Sequence, residues 1–266
     1  MNIKLKLNTL EVPIKHFTFN GGEEQVQIES KFVPRGSIGF VDITAHLKTS
    51  SDVMSLIMLT DACRRLSGLR KDTVFTLYMP YISYARQDRV MNPGESLAIK
   101  AFCDLINNLN FDKVVVDDPH SDVSASLLNN IEIRDQAQLA SEHAHYLYGR
   151  DVVIVAPDTG ARKKAQKVAD RFRLPIVEAG KVRNVETGKI TGTTVYGDVD
   201  GLECLIVDDL IDQGGTFIAL AKVLKEAGAK KVILYVTHGI FAKGKQVLYD
   251  AGIDEVYAYH DWTENF

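Results

Sequence analysis

The chain has 266 residues, enough for one large or two modest domains, and its 45% hydrophobic and 25% charged residues suit a soluble globular protein. A net charge of −4 gives no electrostatic case for nucleic acid or an anionic membrane as partner, so basic residues that matter must be gathered locally. No apolar run approaches the ~20 residues needed to span a bilayer, and Cys63, Cys103 and Cys204 lack metal spacing, as expected of reduced packing residues in a cytoplasmic protein.

Met1 to Leu10 alternates apolar Ile3, Leu5 and Leu7 with polar residues, a strand pattern and not a signal peptide. Phe19-Asn-Gly-Gly-Glu23 is a turn signal, and Gln25 to Phe32 alternates again in strand fashion. Ser51 is placed to cap a helix running to about Leu66, with Val53, Met54, Ile57 and Ala62 on one face. Val74 to Met79 reads as a strand feeding Pro80-Tyr-Ile-Ser-Tyr-Ala-Arg-Gln-Asp-Arg89. Arginine presents a planar fork suited to phosphate oxygens, and a glutamine can read an adenine edge. Val90 to Gly94 is loop, and Glu95 opens a predicted helix to about Leu109. Val114-Val-Val-Asp-Asp-Pro-His-Ser121 is a buried strand that ends in polar residues.

A predicted helix from about Gln136 to Tyr148 leads to Asp151-Val-Val-Ile-Val-Ala-Pro-Asp-Thr-Gly-Ala161, where strand, turn and helix begin a second α/β unit. The helix from Ala161 to Phe172 carries Arg162, Lys163, Lys164 and Lys167, of which only first-turn cations reach the turn before it. Glu178 to Gly192 is Gly-containing and polar, a hairpin or flap. Next comes Cys204-Leu-Ile-Val-Asp-Asp-Leu-Ile-Asp-Gln-Gly-Gly-Thr216. Its apolar run, Leu205 to Val207, is a buried parallel strand that delivers Asp208 and Asp209 at its carboxyl end. The turn Asp212 to Thr216 opens directly into a helical pattern. Strand, tight loop and helix N-terminus form a geometry that binds phosphate, and Gly214 and Gly215 let backbone approach the oxygens. Adjacent carboxylates suit ribose hydroxyls or a bridging cation instead. Val232 to Val236 and Glu255 to Tyr259 supply two more strands, with a helix near Lys243 to Ala251. Such alternation predicts parallel sheets with right-handed crossovers and one shared site beyond the strands' carboxyl ends, near the domain boundary.

Asp208 to Thr216 resembles the phosphoribosyl-pyrophosphate motif of type I phosphoribosyltransferases. Tyr-x-x-Tyr-Ala-Arg-Gln-Asp-Arg at 81–89 is similar to the ATP-binding segment of the ribose-phosphate pyrophosphokinase family. Phe19-x-x-x-Glu23, Asp118-x-His120, Pro157-Asp158-x-Gly160, Lys181-x-Arg183 and Thr237 to Phe241 extend the likeness to most of the chain. The resemblance implies an α/β fold of two tandem phosphoribosyltransferase-like domains, each a mostly parallel sheet flanked by helices. Residues 1–149 would carry the ATP-binding segments and 150–266 the ribose-phosphate loop. It further implies transfer of the β,γ-pyrophosphoryl group of Mg-ATP to the anomeric hydroxyl of a ribose 5-phosphate moiety, releasing AMP, in a homo-oligomer. Phe19, Asn20, Glu23, Arg86, Gln87 and Asp88 would seat ATP, and His120 and Asp158 would serve Mg2+. Lys181 and Arg183 would stabilise the transferring group. Asp208 and Asp209 would hold the acceptor's 2- and 3-hydroxyls, with Asp212, Gln213, Gly214, Gly215 and Thr216 around its 5-phosphate.

Four departures are visible. Gly94 stands where the family has arginine, and Gln213 where it has threonine or serine. The family's extra first strand with its Gly/Ser-rich turn is missing, and the chain stops at Phe266, departures that bear on the family's ring-like assembly and allosteric control. In being trimmed, the chain is similar to shortened phage-borne relatives that pyrophosphorylate ADP-ribose, a rival acceptor whose use would serve NAD salvage. A phosphoribosyltransferase would share the Asp208 to Thr216 motif but has no use for Tyr81 to Arg89. A non-catalytic regulatory homologue would not need Lys181 and Arg183.

Overall fold

The computed structural model describes residues 2–143, 151–183 and 190–264, with backbone alone at His143, 181–183 and 190–191. The chain forms two compact units, Met1–Arg134 and Asp135–Asn265.

The first unit runs β1 (Ile3–Leu7), β2 (Leu10–Val12), β3 (Ile14–Thr18), β4 (Glu24–Ile28), β5 (Ile38–Ala45), α1 (Ser50–Arg64), β6 (Leu69–Tyr78), α2 (Ala98–Asn108), β7 (Lys113–Asp117), α3 (Asp122–Ser126) and β8 (Ile131–Arg134). Its main sheet has the order β2-β1-β5-β6-β7-β8, antiparallel over β2-β1-β5 and parallel from β5 to β8. β3 and β4 form a separate hairpin, so the Phe19 to Glu23 signal is its turn. Period-two alternation buries Leu5 and Leu7 of β1, Val41 and Ile43 of β5 and Leu77 of β6 in one core with Leu56, Leu59, Ile99 and Ile106 of α1 and α2. Phe40 and Thr76 alternate out of that core and stay exposed or half-buried.

Three local expectations shift. The strand expected over Gln25 to Phe32 stops at Ile28, and Ser30–Phe32 is a 3-10 turn. The cap of α1 is Thr49, not Ser51: its hydroxyl accepts from the Asp52 N–H, and the Asp52 carboxylate accepts from the Thr49 N–H at 2.8 Å. Ser51 donates to Glu24 of the hairpin at 2.7 Å instead. Glu95 does not open α2. Its carboxylate accepts from the N–H groups of Met91 and Asn92 and from the Asn92 amide, which closes a loop and delays the helix to Ala98.

The second unit runs α4 (Gln136–His143), β9 (Val152–Ala156), α5 (Arg162–Phe172), β10 (Ile176–Arg183), β11 (Ile190–Tyr196), β12 (Glu203–Ile211), α6 (Gly215–Glu226), β13 (Lys231–Gly239), α7 (Gln246–Tyr249) and β14 (Glu255–Asp261). The sheet order is β11-β10-β9-β12-β13-β14, parallel except for the β10–β11 hairpin. Both faces are covered, which is why these strands read as unbroken apolar runs. Cys204 and Ile206 pack with Leu220 and Leu224 of α6, while Leu205 and Val207 pack with Val168 and Phe172 of α5. Ala137 and Ala140 of α4 join the second packing layer. That contact is why the units divide at Arg134/Asp135 and not at 149/150.

Candidate active site

In the second unit, β12 is longer than its apolar run. It pairs with β9 only as far as Ile206↔Val155, but with β13 as far as Ile211↔Gly239. Asp208 and Asp209 therefore sit within the strand yet past the end of β9, facing a step in the sheet. The Asp209 N–H donates to Asp208 Oδ1 at 2.9 Å. Asp209 is buried and its carboxylate lies 3.6 Å from Lys164 Nζ on α5. Loss of hydration, then the neighbouring Asp209 and next Asp158, push the Asp208 carboxyl well above the usual range.

Asp158 occupies the turn after β9, where its Oδ1 accepts from the N–H groups of Gly160 at 3.0 Å and Ala161 at 3.1 Å. These bonds close the turn that enters α5, whose N-cap, Ala161, makes no side-chain bond. Beyond β12, the Ile211 and Asp212 carbonyls accept from the N–H groups of Ile240 and Ala242, so the end of the Thr237 to Phe241 segment and the residue after it prop the loop. The N-cap of α6 is Gly214, which has no side chain to cap the helix, and N–H groups at such a helix start suit an anion.

The two loop glycines differ. Gly214 has φ +82°, and a Cβ there would lie 2.8 Å from Leu248 Cδ2, whereas nothing lies within 4 Å of a Cβ on Gly215. Room beside the loop is therefore at Gly215, next to exposed Gln213, and not at the pair. Lys181 and Arg183 lie on β10, three and five residues past the Glu178↔Ala156 pair that ends its ladder with β9. They are thus carried along the sheet edge from which Asp158 and Asp208 emerge. Their side chains lie outside the described residues.

In the first unit, Arg86, Gln87, Arg89, Met91, Glu95 and Ser96 line a cavity of about 470 Å³. Asp88 is bonded by Arg89 Nε at 3.0 Å. The Arg89 hydrogen bond chiefly, then Ser121 and the charge of His120, hold the Asp88 carboxyl below its usual range, against the opposing effect of burial. The Asp118 to Ser121 segment thus meets the Tyr81 to Arg89 segment, a pairing of Ser121 with Asp88 that sequence reading did not foresee. Ser121 is also the N-cap of α3, its hydroxyl accepting from the Ser124 N–H. The segment is anchored by Asp117, fully buried, which receives Nε and Nη2 of Arg134 at 2.7 Å each and the Tyr78 hydroxyl. Asp118, next in line, is also buried and turns the chain with φ 42°. His120 is exposed. Phe19, Asn20 and Glu23 are exposed on the β3–β4 turn and do not line the cavity. Phe17 and Phe19 meet edge to face, with centroids 5.3 Å apart. Among the described residues, no group of three or more His, Cys, Asp or Glu is set to hold a metal ion, so His120 and Asp158 are not parts of such a cluster.

Two family models match successive parts of the chain. The N-terminal domain model of ribose phosphate pyrophosphokinase matches residues 1–109, and the phosphoribosyl transferase domain model matches residues 124–262. The ribose-phosphate pyrophosphokinase of Mycoplasmopsis pulmonis is 32% identical over 96% of this chain and 77% of its own. The chain belongs to the ribose-phosphate pyrophosphokinase family. The namesake from Vibrio vulnificus is 35% identical over 84% of this chain and 70% of its own. The crystal structure of phosphoribosylpyrophosphate synthetase from Mycobacterium smegmatis superposes with a TM-score of 0.78 at 28% identity, covering 95% of this chain and 81% of that one. The two-domain phosphoribosyltransferase-type α/β fold is thereby shared with a family of pyrophosphoryl-transferring enzymes. No helix among the described residues is long and apolar enough to cross a membrane.

Proposed function

We propose that the protein transfers the β,γ-pyrophosphoryl group of Mg-ATP to the anomeric hydroxyl of a ribose 5-phosphate moiety, leaving a 1-pyrophosphate and AMP. The observation that carries this reading is the carboxylate pair at the end of β12, followed at once by a glycine-capped helix N-terminus, in a member of this family. The acceptor's 5-phosphate would take the N–H groups at the start of α6 and the Thr216 hydroxyl, with Asp212 and Gln213 shaping the loop. Asp208 and Asp209 would receive the sugar's 2- and 3-hydroxyls. Lys181 and Arg183 would meet the charge that develops on the transferring group, a contact strengthened most in the transition state.

The nucleotide belongs with the other unit. Arg86 and Arg89 offer guanidinium forks beside Gln87, and the ion pair with Arg89 keeps Asp88 charged. Phe19 offers a ring face for adenine, with Asn20 and Glu23 at the same turn. Magnesium enters as part of the substrate, since ATP's own phosphate oxygens are hard ligands. Asp158 and the carboxylates at the end of β12 supply oxygens of that kind, and His120 suits a hydrogen bond to phosphate or metal-bound water. A homo-oligomer in the cytoplasm fits the family and the three buried free cysteines.

Ribose 5-phosphate is the acceptor favoured by the family. A second acceptor has an observation of its own: Gln213 and the open space at Gly215 suit a phosphate that continues into a second one, as in ADP-ribose. Steady-state rates with each acceptor at saturating Mg-ATP, followed by AMP release, test both. A tenfold or larger kcat/KM preference for ribose 5-phosphate, ~1.4 kcal/mol in transition-state binding, eliminates the ADP-ribose reading. No AMP from either acceptor eliminates the reaction.

A further inference from the structure

The two carboxylates ending β12 are tethered differently. Asp208 is tied to backbone, accepting from the Asp209 N–H at 2.9 Å. Asp209 faces a neighbouring element: Lys164 Nζ, from the first turn of α5, lies 3.6 Å from its Oδ2. The lysine side chain is 26% exposed and the Asp209 side chain 11%, so water screens this pair less than a surface pair.

The helix that carries Lys164 is itself fixed. Ala165, Val168 and Phe172 are buried in the core, Arg162 Nε meets Glu178 at 2.7 Å, and Asp158 braces the entry turn. A charge presented from such an element sets where a partner carboxylate rests. An ammonium does this as a point charge. Unlike a guanidinium fork, it need not engage both carboxylate oxygens.

We propose that Lys164 is a positioning residue for the acceptor, acting through Asp209 to fix the carboxylate that receives one ribose hydroxyl, a role that rests on Asp208 and Asp209 being the hydroxyl ligands. The lysine does not touch the reacting atoms. It pre-orients the sugar, so its loss is felt only where the hydroxyl held by Asp209 is present.

The test compares wild type, Lys164→Gln, Lys164→Arg, Asp209→Asn and Lys164→Gln/Asp209→Asn on the acceptor and on its 2-deoxy and 3-deoxy analogues. Lys164→Gln should lower kcat/KM for the intact acceptor about 10- to 100-fold, the range for losing an outer partner that orients a ligand group, while KM for ATP stays unchanged. Lys164→Arg should recover part of the loss. With one of the two deoxy acceptors, and in the Asp209→Asn background, the lysine effect should shrink to less than ~3-fold, because coupled groups are not additive. An equal Lys164→Gln loss on all three acceptors, or full additivity with Asp209→Asn, overturns the positioning role even if the variant melts like wild type. A wild type that turns over the deoxy acceptors as well as the intact one instead removes the hydroxyl-ligand reading of the acids, and the role of Lys164 with it.

Discussion

Arg134→Met probes the anchor that sets the start of the Asp118 to Ser121 segment. Asp117 is fully buried, and the substitution removes the guanidinium that gives it two bonds at 2.7 Å, while keeping most of the apolar stem. Removing one partner of a buried pair costs about 3–5 kcal/mol, because a desolvated charge is left behind. The Arg134 side chain is 25% exposed, so the lower end, ~3 kcal/mol, applies. For a unit of this size that corresponds to a fall in Tm of roughly 10 °C. Tyr78→Phe removes one hydroxyl donor to the same carboxylate and should cost ~1.5–3 kcal/mol. Asp117→Asn added to Arg134→Met should recover 1 kcal/mol or more, since the stranded charge disappears. Urea unfolding followed by far-UV circular dichroism measures all three. A loss under ~1 kcal/mol for Arg134→Met, or a double variant less stable than the single one, would refute the claim that the charge at Asp117 needs its cation.

Lys181→Ala should lower turnover by ~10²–10³ with little change in ATP binding, the size of one lost transition-state charge partner; near wild-type turnover removes it from the mechanism. Asp208→Asn should abolish acceptor use yet stabilise the fold in a pH-dependent way. The folded-state pKa of Asp208 is raised, so the stability it contributes is fully present below the unfolded value of ~3.9 and lost as pH rises through the folded value. The stability gain of the asparagine variant over wild type should therefore be near zero below pH ~4 and grow toward neutrality; melting curves that show the opposite trend refute the assignment. Gly214→Ala should destabilise by ~1–3 kcal/mol, from positive φ and the overlap with Leu248, whereas Gly215→Ala should cost under ~1 kcal/mol in denaturant titrations.

Much of the architecture was legible without coordinates because it follows from short-range sterics and periodicity. Ile3, Leu5 and Leu7 alternate, so β1 is half-buried; Val152 to Ala156 and Cys204 to Val207 do not, so both faces of those strands are covered. Glycine at positive φ, as at Gly214, is likewise a local requirement. The sites were legible as residue types at turns after strands, since parallel sheets gather such turns at one edge. Partner choice was not legible. Thr49 and Ser51 are both caps by type; Asp52 completes the capping box at Thr49, and the Glu24 carboxylate of the hairpin draws off Ser51. Glu95 has a helix former's propensity, but three donors of its own loop hold it out of α2. Tertiary packing alone assigns α4 to the second unit, brings Ser121 to Asp88, crowds Gly214 while leaving Gly215 open, and sets Lys164 against Asp209. Each depends on contacts between residues far apart in the chain, whose pairing is fixed by how whole elements bury their apolar faces, and not by any pattern within one segment.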